Sequence, residues 1–387
     1  MGLRYRIPPG YPLKTPMRLA PVRLVASLLL AAFVAAGPAR AEDAITQATR
    51  QLANGLVHSQ VVHKTKAGPM AINVLRVNPR QLSIRSLVAT RTGGGFGRAP
   101  VTAIAKAYGA IAAINGSFFN LISSEPAGLL VMDGQIVSST PFNRSVFGIR
   151  YDGTPFIDDA HVRASVLLEN GREVLIQRVN HQAKSGELTL YTPHWGKSTK
   201  TTIHPYRYEA AVDSNGTVIE VSNGDLPIPK NGYVVSGQGA SYHKLASLLQ
   251  PGGKALVYTQ LKGVWEGVRY AIGGGPTIVH KGQVHVTAKQ EGMPGEIATG
   301  RAPRTAIGYA ASGETLMVTV DGRKKDHSVG CTLMELGRIM VELGAYEAIN
   351  LDGGGSSTMV VNGKAVNQVS SGSERMVSNA IGVFVRE

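Results

Sequence analysis

The sequence predicts an α+β fold, a sheet-dominated single catalytic domain with a few packed helices. Three observations predict it. Short apolar/polar alternations recur along the chain, as at Ile72–Val77 and Leu82–Val88, and a period of two is the signature of a half-buried strand. Three later segments share a strand, tight turn, return-strand rhythm around Asp133-Gly134, Lys281-Gly282 and Asn362-Gly363. Helical periodicity is clear in few places, the best being Leu333 to Leu343, where Leu333, Leu336, Met340 and Leu343 fall on one face.

The chain has 387 residues, enough for one large core or two smaller ones. Its 43% hydrophobic content is that of a globular protein. The 46 glycines fit a turn-rich β protein. Residues 1–41 read as an export signal. Arg4, Arg6, Lys14, Arg18 and Arg23 form a basic leader, Leu24 to Ala36 is an apolar run too short to span a bilayer, and Ala39-Arg40-Ala41 has the small-x-small form of a cleavage site. Cleavage after it removes six basic residues and no acidic ones, so the net charge falls from +14 to +8. The expected location is periplasmic or secreted, with no stable membrane span after cleavage. A basic exported protein suits anionic glycans or phosphate-bearing polymers. Nucleic acid is not expected as a partner, because Lys and Arg are scattered and not striped. Cys331, the only cysteine, allows no intrachain disulfide and reads as a small buried side chain.

The remaining boundaries are 42–100, a strand-rich N-terminal segment packed on the catalytic domain, and 101–387, the catalytic domain. Within the first, residues 42–60 show weak helical periodicity, and Thr92 to Arg98 is a glycine-rich loop that fits no phosphate-binding fingerprint. Pro100 opens a helix that reaches Tyr108 and ends at Gly109. Residues 150–265 hold further strand-like runs, including Tyr191, His194 and Trp195, aromatic residues read as core or rim. Thr332 and Glu335 form a capping box for the Leu333 helix, and Gly344 stops it.

Chemistry concentrates at strand ends. Ala348 to Leu351 runs into Asp352, then Gly353-Gly-Gly355, then Ser356-Ser357-Thr358, and a second strand follows at once. A nucleotide-binding P-loop needs a following helix and a Lys-Ser/Thr pair, and both are lacking here. Three glycines instead leave backbone N–H groups open to a ligand. Gly273-Gly274-Gly275-Pro276 and Asn115-Gly-Ser-Phe-Phe-Asn120 repeat the pattern, and three such tips could build one pocket. Arg301-Ala-Pro-Arg304-Thr-Ala-Ile-Gly308 supplies arginines able to fork-bind a phosphate. Val318-Thr-Val-Asp321-Gly322-Arg323 and Ser373-Glu374-Arg375-Met-Val-Ser-Asn379 follow. Taken alone, Asp321-Gly322 is a turn.

This ordered set resembles the phosphodiester glycosidase family, over roughly Ala103 to the C-terminus and most specifically in the last hundred residues. The resemblance implies an exported hydrolase that cleaves a sugar-1-phosphodiester, the bond between sugar C1 and a phosphate oxygen, in a phosphorylated carbohydrate or cell-envelope glycan such as an exopolysaccharide. Positive charge on the sugar ring would call for a carboxylate, and the departing phosphate for basic groups. On that basis Asp352 and Asp321 are expected near C1, with Arg304 as the third catalytic residue, on the phosphate. Asn115, Gly274, Gly275, Arg301, Gly353, Gly354, Ser356, Ser357, Glu374 and Arg375 are expected to bind substrate, Arg375 on the phosphate. No cofactor is expected, and zinc is disfavoured by the dispersed histidines. Calcium is the metal that two aspartates with Asn and backbone oxygens could take. Two alternatives stay open, a phosphodiesterase cutting P–O in a teichoic-acid-like or glycerophosphate polymer, and a non-catalytic glycan-binding protein of exopolysaccharide assembly.

Overall fold

The computed structural model describes residues 45–140, 144–159, 162–182, 184–261 and 263–386. The export leader expected over 1–41 lies outside them. No helix among the described residues is long and apolar enough to cross a membrane.

Sheet dominates, as the alternating runs predict. An eight-stranded sheet has the order Ile45–Ala53, Leu56–Thr65, Gly68–Val77, Thr315–Val320, Arg304–Ala310, Ala345–Asn350, Thr277–His280, Gln283–Val284. A five-stranded sheet has the order Lys364–Ala365, Met359–Val361, Ala112–Asn115, Asn379–Val385, Leu82–Val88. Within both, every strand pair is antiparallel. A second five-stranded sheet runs Gln135–Ser138, Leu130–Met132, Val268–Gly273, Ser145–Arg150, Pro155–Asp159. Residues 162–261 add a three-stranded and a further five-stranded sheet, which share a core with the second five-stranded sheet through Val131, Val146 and Ala271.

The period-two alternation sorts side chains between layers. Leu75, Ile307, Met317 and Ile349 of the eight-stranded sheet meet Ile84, Ile114, Met359 and Ile381 of the first five-stranded sheet in one core. Their neighbours Val74, Leu316, Val318 and Ala348 face the other way, onto the helix Leu333–Glu342. Likewise Leu87, Ala113, Val360 and Ala380 turn outward onto the helix Val101–Tyr108. The central arrangement is therefore helix, sheet, sheet, helix. Removing a Leu such as Leu336 from water contributes about 2 kcal/mol, and Leu336 is fully buried.

The local helix signals hold. Thr332 accepts from the Glu335 N–H, the Glu335 carboxylate accepts from the Thr332 N–H (2.8 Å), and Gly109 ends the Val101 helix in a left-handed conformation. The three tight turns hold too: Asp133, Lys281 and Asn362 each have φ near +50°, followed by a glycine that is also left-handed, the geometry of a two-residue hairpin. Tyr191 and Trp195 pack in the core, with Trp195 edge-on to Phe96. Cys331 is fully buried, and burial pushes its thiol up to about 12.

The weak helical periodicity of residues 42–60 is overturned. Ile45–Ala53 and Leu56–Thr65 are paired strands turning at Asn54-Gly55. Asn-Gly is a strong hairpin signal, and the pairing continues through Gly68–Val77 into the strand Thr315–Val320. Residues 45–88 thus hydrogen-bond into both central sheets.

Candidate active site

Three strand ends meet around Asp352. Asn115, at the end of its strand and fully buried, donates from Nδ2 to the Asp352 carbonyl (2.6 Å). Its Oδ1 accepts from the Thr305 hydroxyl (2.8 Å) and the Thr358 N–H (3.1 Å). The Asp352 N–H returns a bond to the Gly116 carbonyl (3.1 Å). Asn350 joins the other tip: the Gly275 N–H donates to the Asn350 carbonyl (2.8 Å), and Asn350 Nδ2 donates to the Gly275 carbonyl (3.0 Å). A Cβ on Gly274 would stand 2.6 Å from that Asn350 carbonyl, so the approach of the two strand ends requires glycine. Asn115, Gly274, Gly275, Asn350 and Asp352 therefore form one hydrogen-bonded knot.

The glycine turn rises from this knot as a short 3-10 turn, Gly354–Ser356. Gly354 is left-handed, with φ +61°. Two guanidinium groups lie against the turn. Arg323 Nη2 is 3.2 Å from where a Gly354 Cβ would be, and Arg375 Nη2 is 2.6 Å from where a Gly355 Cβ would be. Both arginines are exposed, and neither has a hydrogen-bond or ion-pair partner among the described residues. The two guanidiniums thus flank the turn with their donors unspent, whereas the N–H groups of Gly353 and Gly354, expected to be open to a ligand, are taken by the Asp352 carboxylate (2.9 Å) and the Pro303 carbonyl (2.8 Å).

Asp352 is half-buried and its carboxyl is pushed up to about 6. Loss of hydration disfavours its charged form, and the nearby Ser356 hydroxyl, the Gly353 N–H (2.9 Å) and the charge of Arg375 offset this in part. Ser356 Oγ lies beside the carboxyl without a well-formed hydrogen bond. Ser356 Oγ, Ser357 Oγ, Thr358 Oγ1 and Asn350 Oδ1 are all buried without a well-formed hydrogen bond among the described residues. Native folds rarely leave such groups unpaired, and four within nine residues mark this loop as unusual.

The other expected residues are placed differently. Asp321 is buried, and its two carboxylate oxygens accept from His327 Nε2 (2.8 Å), Asn367 Nδ2 (3.0 Å) and the Gln368 N–H (2.9 Å). Asn367 Nδ2 also donates to the Ser357 carbonyl (3.1 Å), so Asp321 supports the glycine turn from beneath. The Arg304 guanidinium is buried and donates to the carbonyls of Cys331, Ile297 and Gly300. Burial lowers its pKa. Arg301 pairs with Glu335 (2.5 Å) and donates to the Gly330 carbonyl. The Glu374 carboxylate accepts from Thr102 N–H (3.1 Å) and Thr102 Oγ (2.8 Å) in the first turn of the Val101 helix. Among these, Asp352, Arg375, Ser356, Ser357, Gly353 and Gly354 come together at the turn, while Arg301, Arg304 and Glu374 spend their polar atoms on the fold.

Sequence reasoning passed over two residues. Arg323 stood in Val-Asp-Gly-Arg, and that placement was the available signal. Glu291 had none. Its carboxylate accepts from Ser145 Oγ (2.6 Å), Thr277 N–H (2.8 Å) and Thr287 Oγ1 (2.5 Å), bracing the Gly275 tip. Among the described residues no group of three or more His, Cys, Asp or Glu is arranged to hold a metal ion.

Residues 206–384 match the profile of the phosphodiester glycosidase family. A stretch of 79 residues, 20% of the chain, is 40% identical to the SPbeta prophage-derived uncharacterized protein YomE of Bacillus subtilis, covering 12% of that protein. A stretch of 60 residues, 16% of the chain, is 40% identical to N-acetylglucosamine-1-phosphodiester alpha-N-acetylglucosaminidase of Homo sapiens, covering 11% of it. The chain thus matches only about a tenth of the length of these curated relatives. The fold is shared more widely. A Synechocystis protein superposes with a TM-score of 0.79 at 25% identity, covering 88% of this chain and 64% of that one. A Burkholderia pseudomallei protein superposes with a TM-score of 0.77 at 22% identity, covering 89% and 97%. The matched residues 206–384, which hold Arg323, Asp352 and Arg375, are thus similar to the phosphodiester glycosidase family.

Proposed function

We propose that the protein is an exported hydrolase that cleaves the C1–O bond of a sugar-1-phosphodiester in a phosphorylated glycan or cell-envelope polymer. One observation carries the reading: a single carboxyl with a raised pKa, Asp352, at the base of a glycine turn flanked by the unpaired guanidiniums of Arg323 and Arg375. Export rests on the basic and apolar leader with its Ala-Arg-Ala box.

In this reading Asp352 acts as a carboxylate on the C1 side, where positive charge develops as the bond to oxygen breaks. The electron pair of that bond leaves with the phosphate, and a water oxygen forms the new bond to C1 as its proton passes to solvent. Arg323 and Arg375 hold the phosphate and offset its growing charge, while the Gly353 and Gly354 N–H groups are spent on the Asp352 carboxylate and the Pro303 carbonyl. Ser356 and Ser357 supply hydroxyls without a well-formed hydrogen bond among the described residues. Arg304 and Asp321 serve as supports, one under the Pro303–Arg304 backbone that the turn abuts, the other under Ser357 through Asn367.

A panel of sugar-1-phosphodiesters with product analysis tests the reading. Release of free sugar together with a phosphate monoester supports it. A folded protein that turns over none of them, or that releases a sugar phosphate by P–O cleavage, contradicts it.

A further inference from the structure

We propose a second anion site, separate from the glycine turn and independent of the catalytic reading, that takes the phosphate group of a phosphomonoester. A cavity of about 230 Å³ is lined by four arginines, Arg85, Arg150, Arg269 and Arg386, with Tyr151 and Tyr270. It lies at the far end of the strands that build the candidate active site. Arg85 sits near the start of Leu82–Val88, whose last residue pairs with Asn379. Arg386 follows the end of Asn379–Val385, and Arg269 sits near the start of Val268–Gly273, whose end is the Gly273 tip. Seven residues of strand at about 3.3 Å each separate the two ends, roughly 20 Å.

The charge in this cavity is poorly compensated. Arg269 pairs with Asp133 (3.1 Å), whose side chain is mostly exposed. Asp152, the other nearby acid, accepts from the Thr154 N–H within its own turn (2.8 Å). Among the described residues the hydrogen bonds of the other guanidiniums go to neutral groups: Arg85 donates to Ser83 Oγ (3.1 Å), Arg150 to the Glu266 carbonyl (2.8 Å), and Arg386 to the carbonyls of Leu82 (3.3 Å) and Asp152 (3.2 Å), and Arg150 also acts on the Asp152 carboxylate through its charge. Aromatic faces hold three of the four in place. Arg85 lies 4.5 Å over Phe384, Arg150 4.4 Å over Phe156, and Arg269 between Tyr151 (5.6 Å) and Tyr270 (5.3 Å). Pre-positioned guanidinium forks lining one cavity suit the oxygens of a phosphate. The volume admits one phosphate with a small substituent, and the phenols offer apolar walls to it; the Tyr270 hydroxyl is already spent on Asp133 (2.6 Å).

Calorimetric titration of the full chain with inorganic phosphate, and separately with glucose 6-phosphate, tests this at physiological salt. The titrations use the Arg323→Gln/Arg375→Gln protein, so that binding at the glycine turn is removed first. That protein is expected to retain phosphate binding, and adding Arg85→Gln/Arg386→Gln is expected to weaken it at least tenfold. In the otherwise native chain, Arg85→Gln/Arg386→Gln should leave turnover of small substrates unchanged. Arg150→Gln, which touches a different strand, should weaken binding in the same direction if the first pair unfolds. Tighter binding of glucose 6-phosphate than of phosphate identifies a phosphorylated sugar as the ligand, and equal binding identifies the free anion. No binding in the Arg323→Gln/Arg375→Gln protein, or binding that both sets of cavity variants leave intact, overturns the proposal.

Discussion

The Arg375 guanidinium lies flat against Gly355, so close that a Cβ on that residue would stand 2.6 Å from Nη2 and 2.8 Å from Cζ. The glycine therefore sets where the charge sits relative to Asp352, whose carboxyl feels it. Gly355→Ala should push the guanidinium off the turn. We expect kcat/KM on a sugar-1-phosphodiester to fall at least tenfold, on the order of 1.4 kcal/mol, with a small change in Tm. Unchanged kinetics in the folded variant would remove Arg375 from the site.

Asp352→Asn separates catalysis from stability. The folded carboxyl titrates near 6, against 3.8 for the free side chain. The folded state thus holds the proton more tightly, and stability falls as pH rises through the window from about 4 to about 6. Below it the group costs nothing, and above it the full cost of about 3 kcal/mol applies. Asparagine removes that cost. We expect the variant to be inactive, more stable than the native protein at pH 7, and no more stable at pH 3.5, as read by chemical denaturation.

The same titration sets the pH profile of the native enzyme. If the carboxylate is the working form, kcat/KM should rise as pH rises through about 6 and level off above it. A profile flat from pH 5 to 8 would assign the chemistry elsewhere.

Two arginines of the same chain should respond in opposite ways. Arg304→Gln strips donors from three carbonyls, one of them, that of Cys331, buried, and leaving such groups unpaired costs about 2 kcal/mol. Its signature should be a lower Tm. Arg323→Gln removes an exposed guanidinium with no protein partner, so Tm should hold while KM rises at least tenfold. Thermal unfolding and steady-state kinetics on both variants decide the matter.

Chelation is expected to leave activity intact. The Asp321 oxygens, which an Asp-rich calcium site would use, already accept from His327, Asn367 and the Gln368 N–H. Loss of turnover in a chelator, restored by calcium, would contradict this.

Much of the fold was legible because its signals are local. The capping box at Thr332 and Glu335, the two-residue turns, and the alternation that sorts Leu75 from Val74 all act within a few residues. The Asp352 turn was legible for the same reason. Residues 45–60 fall within the stretch expected to be weakly helical because short apolar runs fit two periods, whereas the Asn54-Gly55 turn makes them a hairpin. The arginines show a different limit. Arg301, Arg304, Arg323 and Arg375 look alike in sequence, and their roles depend on what packs beside them. Arg304 enters a strand next to the carbonyls of Ile297, Gly300 and Cys331, whereas Arg323 leaves a strand in a left-handed conformation and reaches the turn. Glu291 and Asn367 brace the site across long sequence separations that no local pattern encodes.

Hydrolysis of a sugar-1-phosphodiester in oxygen-18 water tests the central claim most directly. Cleavage at C1–O with Asp352 on the sugar side predicts that the label enters the released sugar and not the phosphate. Label found in the phosphate would contradict it, because the bond broken would then be P–O.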